Sequence, residues 1–443
     1  KMFLKDLLQR NDYQDNKIQN NFDRLYDLES KVAILEHKLN DHDLNEQINK
    51  FGYYTNGDSK KIALEDGFQL QVWDLPFFSW NINEKMTSYI ESANGIFYLT
   101  TGDGFFYKGY LDELNEGLLK IYPVKTNLEN ITSLIDLRKI YQKQSRYSHA
   151  ISIKDTLLFD DHLYVSLVDK LDDNCYMTSI LKTKINPNSD NFNFDYFFKP
   201  NFCLKNEKNT ALIISGGALS VNQEKNELYL SIGDYRHWDK ASDPKNILGK
   251  IISLNIKSGK YEIYTSGHRN PLGFYFDNKE EILLSTEMGP HYGDEINLLI
   301  KNKNYGWPSS SYGLHYSDYS GDHPLANLVK LAPLHKSHDK FGYQEPLFSF
   351  SPHFDRKNPM LEKLVGGPAL KNIENNIFTK NSKNYLVFGM KSKKIYFFEY
   401  SKEFKLKSTL NLGYRIRDVK SFNSYYLLTE ENKPSLILLK KNN

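Results

Sequence analysis

Cysteine is nearly absent from this chain of 443 residues, which contains only Cys175 and Cys203. Neither belongs to a Cys-x-x-Cys pair, and this absence argues against a zinc site held by thiolates. The two cysteines leave two interpretations open. They form a single disulfide in an oxidising compartment, or they are two separate thiols buried in the core.

The chain also lacks an excess of charge of one sign and lacks long apolar runs. Its 57 basic and 55 acidic residues give a net charge of +2, which provides no basis for binding nucleic acid or an anionic membrane. No run of about 18 apolar residues and no apolar signal core occurs, so we predict no transmembrane segment and no signal peptide in this chain. Because the chain begins at Lys1, an upstream signal or anchor is left open.

Aromatic residues, by contrast, are plentiful at 14% of the chain, beside 40% hydrophobic and 25% charged residues. The hydrophobic and charged fractions are typical of a globular protein. Because aromatic side chains suit half-buried pleated surfaces, the composition favours β-sheet.

Residues 17–43 follow a different pattern from the rest of the chain. Two positions of a heptad are mostly apolar, occupied by Ile18, Asn21, Leu25, Leu28, Val32, Leu35, Leu39 and His42. A period of about 3.5 residues is typical of a coiled coil, but about three heptads make an isolated oligomer marginal. The alternative is an amphipathic helix packed on its own domain. We expect residues 1–16 to form a tail and the polar residues 44–66 to form a linker.

The remaining residues, 67–443, contain an internal repeat, in which a short aromatic or aliphatic strand follows a polar turn. It recurs at Ile96, Leu163, Leu228, Ile282, Tyr385 and Tyr425. Six strand-turn-strand units predict an all-β, six-bladed β-propeller with four strands in each blade. The strand at Phe68 to Asp74 would complete the last blade and close the ring, which removes exposed sheet edges. The long insertion 306–370 is expected to form a rim at the propeller mouth.

Two motifs lie close together within this repeat region. Residues 267–273 read Gly-His-Arg-Asn-Pro-Leu-Gly, and residues 287–297 read Glu-Met-Gly-Pro-His-Tyr-Gly-Asp-Glu-Ile-Asn, followed by Asn-Tyr-Gly-Trp-Pro at 304–308. Together they resemble the soluble glucose/sorbosone dehydrogenases, which use pyrroloquinoline quinone (PQQ) and calcium. The resemblance extends from about residue 67 to the C-terminus and implies a periplasmic or secreted sugar dehydrogenase.

The resemblance also implies a cofactor site built from basic and amide side chains. The matching residues are Arg269, Asn270, Lys391, Arg415 and Arg417. PQQ is a planar tricarboxylate, and carboxylates bind guanidinium groups in a bidentate way. Alternation along a strand places both arginines on one face, and Arg417 or Arg415 is expected to stabilise charge on the quinone. The alternative is that these are ordinary basic residues of the surface.

The family's calcium is held largely by backbone carbonyl groups, and Gly289 and Pro290 match that position. The resemblance implies a second, structural calcium site at Glu295 and Tyr305, which keep the family's spacing. The alternative for Asp294 and Glu295 is hydrogen bonding at a corner of a blade.

The chain departs from the family at the catalytic base. The family has a histidine at the start of His-x-Gly-Gly-x-Leu, and here residues 214–219 read Ile-Ser-Gly-Gly-Ala-Leu. Ile214 cannot accept a proton, and loss of a general base commonly lowers a rate by about two to four orders of magnitude. Asp234, which would orient that histidine, is retained. His237 is the first candidate for a substitute base, and His149 and His291 are further candidates.

Three functions therefore compete. A PQQ- and calcium-dependent aldose dehydrogenase would oxidise a sugar hydroxyl and pass the electrons to an external acceptor. A non-catalytic propeller would use the same mouth to bind a sugar, a glycan or a protein. An oligomer held by residues 17–43 would present several propellers for multivalent binding. The cofactor residues favour the first function, and Ile214 favours the second.

Overall fold

A computed structural model describes residues 42–76, 88–134, 152–207, 209–290, 292–313, 324–334, 336–350, 370–379, 383–401, 403–431 and 434–442. The predicted tail, nearly all of the heptad segment and much of the insertion lie outside these ranges. Within them, helix occurs at residues 42–51, Leu111–Asn115, Leu128–Ile131 and Ser337–Lys340, with 3₁₀ turns at Glu65–Gly67, Trp238–Lys240 and Ala326–Leu328.

The strands form six antiparallel blades, and the first strand of each blade packs against those of its neighbours around the axis. Blade 1 contains β4 (Ser88–Ala93), β5 (Ile96–Thr101), β6 (Phe106–Tyr110) and β7 (Leu119–Thr126). Blade 2 contains β8 (Ile153–Phe159), β9 (His162–Asp172), β10 (Cys175–Lys184) and β12 (Asp195–Phe198), and blade 3 contains β14 (Gly216–Asn222), β15 (Glu227–Ile232), β16 (Lys250–Asn255) and β17 (Tyr261–Ser266).

Blade 4 contains β18 (Pro271–Asp277), β19 (Ile282–Glu287), β20 (Asp294–Leu298) and β21 (Phe348–Phe350). Blade 5 contains β22 (Leu370–Asn375), β23 (Asn384–Gly389), β24 (Lys394–Tyr400) and β25 (Phe404–Asn411). Blade 6 contains β26 (Ile416–Phe422), β27 (Tyr425–Glu430), β28 (Ser435–Lys441) and β3 (Phe68–Asp74). The pairing of β28 with β3 joins the two ends of the domain, so the predicted six-bladed fold and its closing strand are confirmed.

Four short strands lie outside the four-stranded pattern. They are β1 (Tyr54–Asn56), β2 (Lys60–Ala63), β11 (Asn191–Phe192) and β13 (Leu204–Lys205). The pairs β1–β7 and β2–β3 add a fifth strand to blades 1 and 6, within the segment for which the sequence predicts a linker. Leu44 is buried in the same cluster as Leu111 and Leu119, so the helix at residues 42–51 packs on blade 1.

A side-chain hydrogen bond joins every blade to the start of the next inner strand. The bonds are Tyr89 Oη to Ile153 O (3.1 Å), Ser166 Oγ to Gly217 O (2.5 Å), Ser231 Oγ to Pro271 O (2.9 Å), Thr286 Oγ1 to Lys371 O (3.1 Å), Asn372 Nδ2 to Arg417 O (3.0 Å) and Thr429 Oγ1 to Ser88 O (2.7 Å). Four donors are hydroxyls on the second strand of a blade. Buried hydroxyls need such acceptors, so these bonds explain why Ser or Thr recurs near the ends of the repeated strands.

Cys175 and Cys203 form a disulfide, which ties the end of the long β9–β10 hairpin to the segment that leads into β13. The sequence alone left this pairing open. No helix among the described residues is long and apolar enough to cross a membrane.

Candidate active site

One end of the ring, called the mouth here, gathers the starts of the inner strands and the loops that follow the second and fourth strands of the blades. These segments meet because neighbouring strands are antiparallel. The predicted cofactor and catalytic residues in these segments are Asp234, His237, Arg269, Asn270, Lys391, Arg415 and Arg417, and the loop after β19 contributes Gly289 and Pro290. The fold therefore brings them to the same end of the propeller.

The second residue of an inner strand interrupts the regular pairing in four blades. These positions are Lys154 in β8, Leu272 in β18, Lys371 in β22 and Arg417 in β26. In β14 the irregularity spans the residues between Gly216 and Leu219. A bulge bends its strand and redirects a side chain. Equivalent positions on blades 2, 5 and 6 thus supply three cations, of which the sequence singled out only Arg417.

The arginines at 415 and 417 share one carboxylate, Glu431, from the loop after β27. Arg415 Nε donates to Glu431 Oε2 at 2.7 Å, and Arg417 Nη2 lies 3.9 Å from Glu431 Oε1. Arg417 Nη1 contacts Met390 Sδ at 3.4 Å, and its Nε–H is buried without an acceptor among the described residues. Arg417 therefore keeps unused capacity for an anionic ligand.

Lys391 occupies the turn between β23 and β24 and is exposed. Its neighbour Met390 contacts Arg417, so the turn that carries Lys391 lies beside the arginine pair. An exposed lysine with a flexible stem can reach an anion at the mouth without a fixed geometry.

Arg269 and Asn270 are held by Glu287, which lies at the end of β19. The backbone N–H groups of Arg269 and Asn270 both donate to Glu287 Oε1, the second at 3.3 Å. The other oxygen of Glu287 contacts His268 Nδ1 at 2.8 Å. Asn270 Oδ1 in turn accepts the N–H of Gly216 at 3.1 Å, next to the segment where the family has its base. One buried carboxylate thus fixes the first motif against the second.

The four predicted metal residues, Gly289, Pro290, Glu295 and Tyr305, line one small cavity of about 20 Å³. The guanidinium of Arg269 lies beside it and donates from Nη1 to the carbonyl groups of Met288 (3.0 Å) and Gly289 (3.2 Å). A cation already belonging to the chain therefore binds the carbonyl group that the resemblance assigns to calcium.

The two side chains predicted for the second calcium site differ in the hydrogen bonds that they already make. The hydroxyl of Tyr305 donates to Leu298 O and accepts the N–H of Ile300 at 2.9 Å. Among the described residues Glu295 accepts one side-chain hydrogen bond, at 3.3 Å from Asn297, and burial, with Glu287 nearby, raises its pKa well above the usual value. Glu295 is thus the stronger candidate of the two for an incoming cation.

The position of the family's base is apolar and closed. Ile214 is 9% exposed, and Asp234 is completely buried. Asp234 Oδ2 accepts the indole N–H of Trp307 at 2.6 Å, and Oδ1 accepts the N–H of Arg236 at 2.8 Å. Burial raises the pKa of Asp234 to about 7, although Arg269 opposes the rise. Asp234 therefore anchors Trp307 instead of orienting a base.

His237, the first candidate for a substitute base, is partly engaged by its neighbours. Its Nε2 lies 3.2 Å from Thr210 Oγ1, and its backbone N–H donates to Asp234 O at 2.7 Å. Burial lowers the pKa of His237, so the ring stays neutral near pH 7. A substitute-base role for His237 therefore stays a prediction. His149 and His291 lie outside the described residues.

Glu431, Glu287 and Trp307 were not singled out as site residues by the sequence. Each acts by contacting a predicted site residue that lies elsewhere in the chain. Such a contact produces no recognisable spacing of residues in the sequence, so only the folded structure shows it.

Comparison with known proteins gives a consistent result. A sequence profile described as Glucose / Sorbosone dehydrogenase matches residues 162–438. The chain is 27% identical over 246 residues to the aldose sugar dehydrogenase YliI of Escherichia coli. The aligned region covers 52% of this chain and 60% of that protein. The match thus spans less than two thirds of that relative's length.

Two solved structures have a similar fold. One is the apo form of the soluble aldose sugar dehydrogenase of Escherichia coli, with a TM-score of 0.59 and 18% identity over 84% of this chain and 100% of that one. The other is the PQQ-bound form of an aldose sugar dehydrogenase of Streptomyces coelicolor, with a TM-score of 0.53 and 14% identity over 81% and 98%. At these identities the similarity concerns the fold alone.

Proposed function

We propose that this chain, which belongs to the glucose/sorbosone dehydrogenase family, binds PQQ at the propeller mouth and oxidises an aldose sugar slowly. One observation carries the proposal. The guanidinium of Arg417 lies at the mouth with a buried N–H that has no acceptor among the described residues. A charged donor left unsatisfied there favours an anionic ligand, and the similar propeller from Streptomyces coelicolor is described as PQQ-bound.

The chemistry of the mouth residues fits a flat polycarboxylate. Arg415 and Arg417 would bind carboxylates from the blade 5–6 side, with Lys391 adding charge from its turn. Arg269 and Asn270 would approach from the blade 3–4 side. When bound, PQQ supplies a two-electron acceptor for sugar oxidation. The chain's own part is to orient this ligand and the sugar, and Glu431 limits anion affinity because it neutralises Arg415.

Calcium at the carbonyl groups of Gly289 and Pro290 stays a prediction, and its donors fit only in part. Arg269 already donates to Gly289 O, and the hydroxyl of Tyr305 is engaged by the backbone. In the ranges that the structure describes, no cluster of three or more His, Cys, Asp or Glu side chains is arranged around a metal site. We therefore assign calcium no step in the reaction.

Slow turnover follows from the apolar side chain at position 214. Proton removal from the sugar hydroxyl would fall to water or to a weak base, since Asp234 is buried and bonded to Trp307. The expected deficit is about two to four orders of magnitude against an enzyme with a positioned base.

A non-catalytic propeller is the second candidate, and the same two residues favour it. Isoleucine at position 214 cannot act as the base. The hydrogen bond from Trp307 gives Asp234 a structural role that does not depend on catalysis. In that case the mouth would bind a sugar, a glycan or a protein and release it unchanged.

We further propose that the protein works in an oxidising compartment such as the periplasm or the exterior. The disulfide between Cys175 and Cys203 supports this, because such bonds persist mainly outside reducing compartments. An external electron acceptor is required if the protein turns over. Assembly through residues 17–43 remains a proposal, because nearly all of that segment lies outside the described residues.

The test uses the purified full chain, titrated with PQQ in the presence and absence of calcium. Thermal stabilisation and the quinone absorbance report binding, and dye reduction with aldoses reports turnover. Arg417→Gln is expected to weaken PQQ binding by about tenfold or more, whereas Lys405→Gln, an exposed lysine on β25, serves as the matched control. Binding without dye reduction supports the non-catalytic candidate. Absence of PQQ binding rejects the enzyme proposal.

A further inference from the structure

We propose that Lys250 is a positioning residue for the mouth, because its buried ammonium group fixes the loop at residues 233–249 against Trp307. This loop joins β15 to β16 and contains Asp234 and His237. The effect on a bound ligand rests on the proposed function. The fixing of the loop rests on the hydrogen bonds that Lys250 makes.

Lys250 is the first residue of β16 and lies at the mouth end of blade 3. Its backbone pairs with Ile232 of β15 on one side and with Ser266 of β17 on the other. The chain continues from Ile232 into the 233–249 loop and from Ser266 into the motif at 267–273. Lys250 therefore lies between the two segments whose relative placement shapes this side of the mouth.

The side chain of Lys250 is completely buried, and its ammonium group binds three backbone carbonyl groups. Nζ donates to Lys240 O at 2.8 Å, to Ala241 O at 2.7 Å and to Leu248 O at 2.8 Å. A lysine ammonium group has three N–H donors and no acceptor, so these bonds leave no donor for a ligand. Lys250 therefore acts on the mouth through the backbone that it holds.

The three carbonyl groups come from two separate parts of the loop. Lys240 and Ala241 lie at the end of the 3₁₀ turn Trp238–Lys240, where carbonyl groups lack partners within the turn, and Leu248 lies just before β16. Ala241 O also accepts the N–H of Gly267 at 2.8 Å. The ammonium group thus joins the two parts of the loop and ties them to the first motif.

The fixed loop supports an aromatic wall beside the predicted cofactor residues. Trp238 and Ala241 belong to one buried cluster with Trp307, and the ring centres of Trp238 and Trp307 lie 6.0 Å apart at an interplanar angle of 82°. Trp307 donates to Asp234 Oδ2 at 2.6 Å, and the guanidinium carbon of Arg269 lies 5.9 Å from the centre of the Trp307 ring. A shift of the loop would therefore displace Trp307 and, with it, the side chain of Arg269.

The test is calorimetric titration of PQQ into the full chain, with the melting temperature measured in parallel. Lys250→Met removes the three donors and should weaken PQQ binding by about tenfold or more, because small displacements of positioning groups are costly. It should also lower the melting temperature. A Lys250→Met protein that is destabilised but binds PQQ as tightly as wild type does would reject the positioning role.

The matched control is Lys108→Met in blade 1. Lys108 is also buried, and its Nζ contacts Pro187 O at 3.2 Å, Ser189 O at 3.4 Å and Asp190 Oδ1 at 2.6 Å. Loss of these contacts should lower the melting temperature and leave the affinity for PQQ unchanged. An equal loss of affinity in Lys108→Met would mean that general destabilisation, and not the 233–249 loop, controls binding.

Chemical rescue tests the hydrogen bonds themselves. In Lys250→Ala, added propylammonium matches the missing atoms of the side chain and can donate to the three carbonyl groups, so it should restore PQQ affinity. Tetramethylammonium at equal ionic strength carries the same charge without an N–H donor and should have no effect. Recovery with both ions, or with neither, would contradict the proposal.

Hydrogen exchange on wild-type protein decides if neither Lys250 variant folds by circular dichroism. The amides of Gly249 and Gly267 donate to Gly233 O and Ala241 O, and they should be equally protected with and without PQQ because the loop is fixed before the ligand arrives. Protection that appears only with PQQ would overturn the proposal. If wild-type protein does not bind PQQ, the enzyme proposal fails instead. Slow exchange of these amides in the free protein would still support the fixing of the loop, and rapid exchange would reject it.

Discussion

Replacing Ile214 by histidine is expected to accelerate sugar oxidation by this chain. Position 214 carries the family's base, and its backbone is already fixed, since Ile214 N donates to Ala211 O at 2.9 Å and Ile214 O accepts Tyr235 N at 3.0 Å. The new imidazole would enter a site that is 9% exposed and lies at the mouth.

The size of the gain follows from the neighbours. A positioned general base contributes about two to four orders of magnitude, or roughly 2.7–5.5 kcal/mol of transition-state stabilisation. Asp234 would have to orient the imidazole while still accepting the N–H of Trp307 at 2.6 Å. A carboxylate has lone pairs for both, but the shared acceptor weakens the alignment. We therefore expect an increase in kcat near the lower end, about 100-fold.

The assay is steady-state dye reduction with an aldose at saturating PQQ, compared among wild type, Ile214→His and Ile214→Gln. Glutamine adds polarity without a base at neutral pH and serves as the control. The histidine variant should also gain a pH dependence, with the rate rising as the imidazole loses its proton around pH 6.5. A folded, PQQ-binding Ile214→His with unchanged kcat, or an equal gain in Ile214→Gln, would refute the reasoning.

Three further outcomes are expected. Glu431→Gln should tighten PQQ binding by about threefold to tenfold, because Arg415 loses its internal partner at 2.7 Å, and weaker binding in calorimetry would contradict this. Trp307→Phe should lower the free energy of unfolding by about 1–3 kcal/mol in urea titrations, since the buried Asp234 loses its indole donor. Burial raises the pKa of Glu374 to about 8, above the unfolded value of about 4.3. The folded state therefore holds the proton more tightly, and this stabilisation is lost as pH rises through 8. Glu374→Gln should melt at a higher temperature than wild type at pH 9 and differ little at pH 5.

Much of the fold follows from local patterns in the sequence. Strands that end in Ser or Thr recur along the chain because in four of the six blades such a residue donates an interblade hydrogen bond, for example Ser231 Oγ to Pro271 O at 2.9 Å. The closing strand Phe68–Asp74 is predictable because a ring must satisfy its last edge. Segments β1 and β2 are not predictable in this way, since their polar residues add backbone bonds without an apolar pattern.

The site likewise contains residues that the sequence predicts and residues that it does not. Motif residues such as Arg269 can be predicted as site residues because they belong to a long, specific sequence pattern. The sequence does not predict where the side chain of Lys154 points. Alternation predicts the face of a side chain only in a regular strand, and the pairing is irregular at Lys154. The role of Glu431 is not predictable from spacing because its contact with Arg415 depends on the register of the β26–β27 hairpin, in which Ile416 pairs with Glu430. Sequence spacing predicts which residue types are present, but pairing register decides which of them meet.

The backbone of the mouth is also specified independently of the side chain at position 214. An ideal Cβ on Gly233 would lie 2.2 Å from Ile214 O, so only glycine permits the close approach of these two segments. Gly217 has a φ of +104°, which a side chain would strain, and its carbonyl accepts the bond from Ser166. These constraints hold the loop in place whether residue 214 is a base or an isoleucine. The geometry of the mouth therefore does not depend on a base at position 214, which is why the Ile214→His variant is expected to keep the fold of this loop.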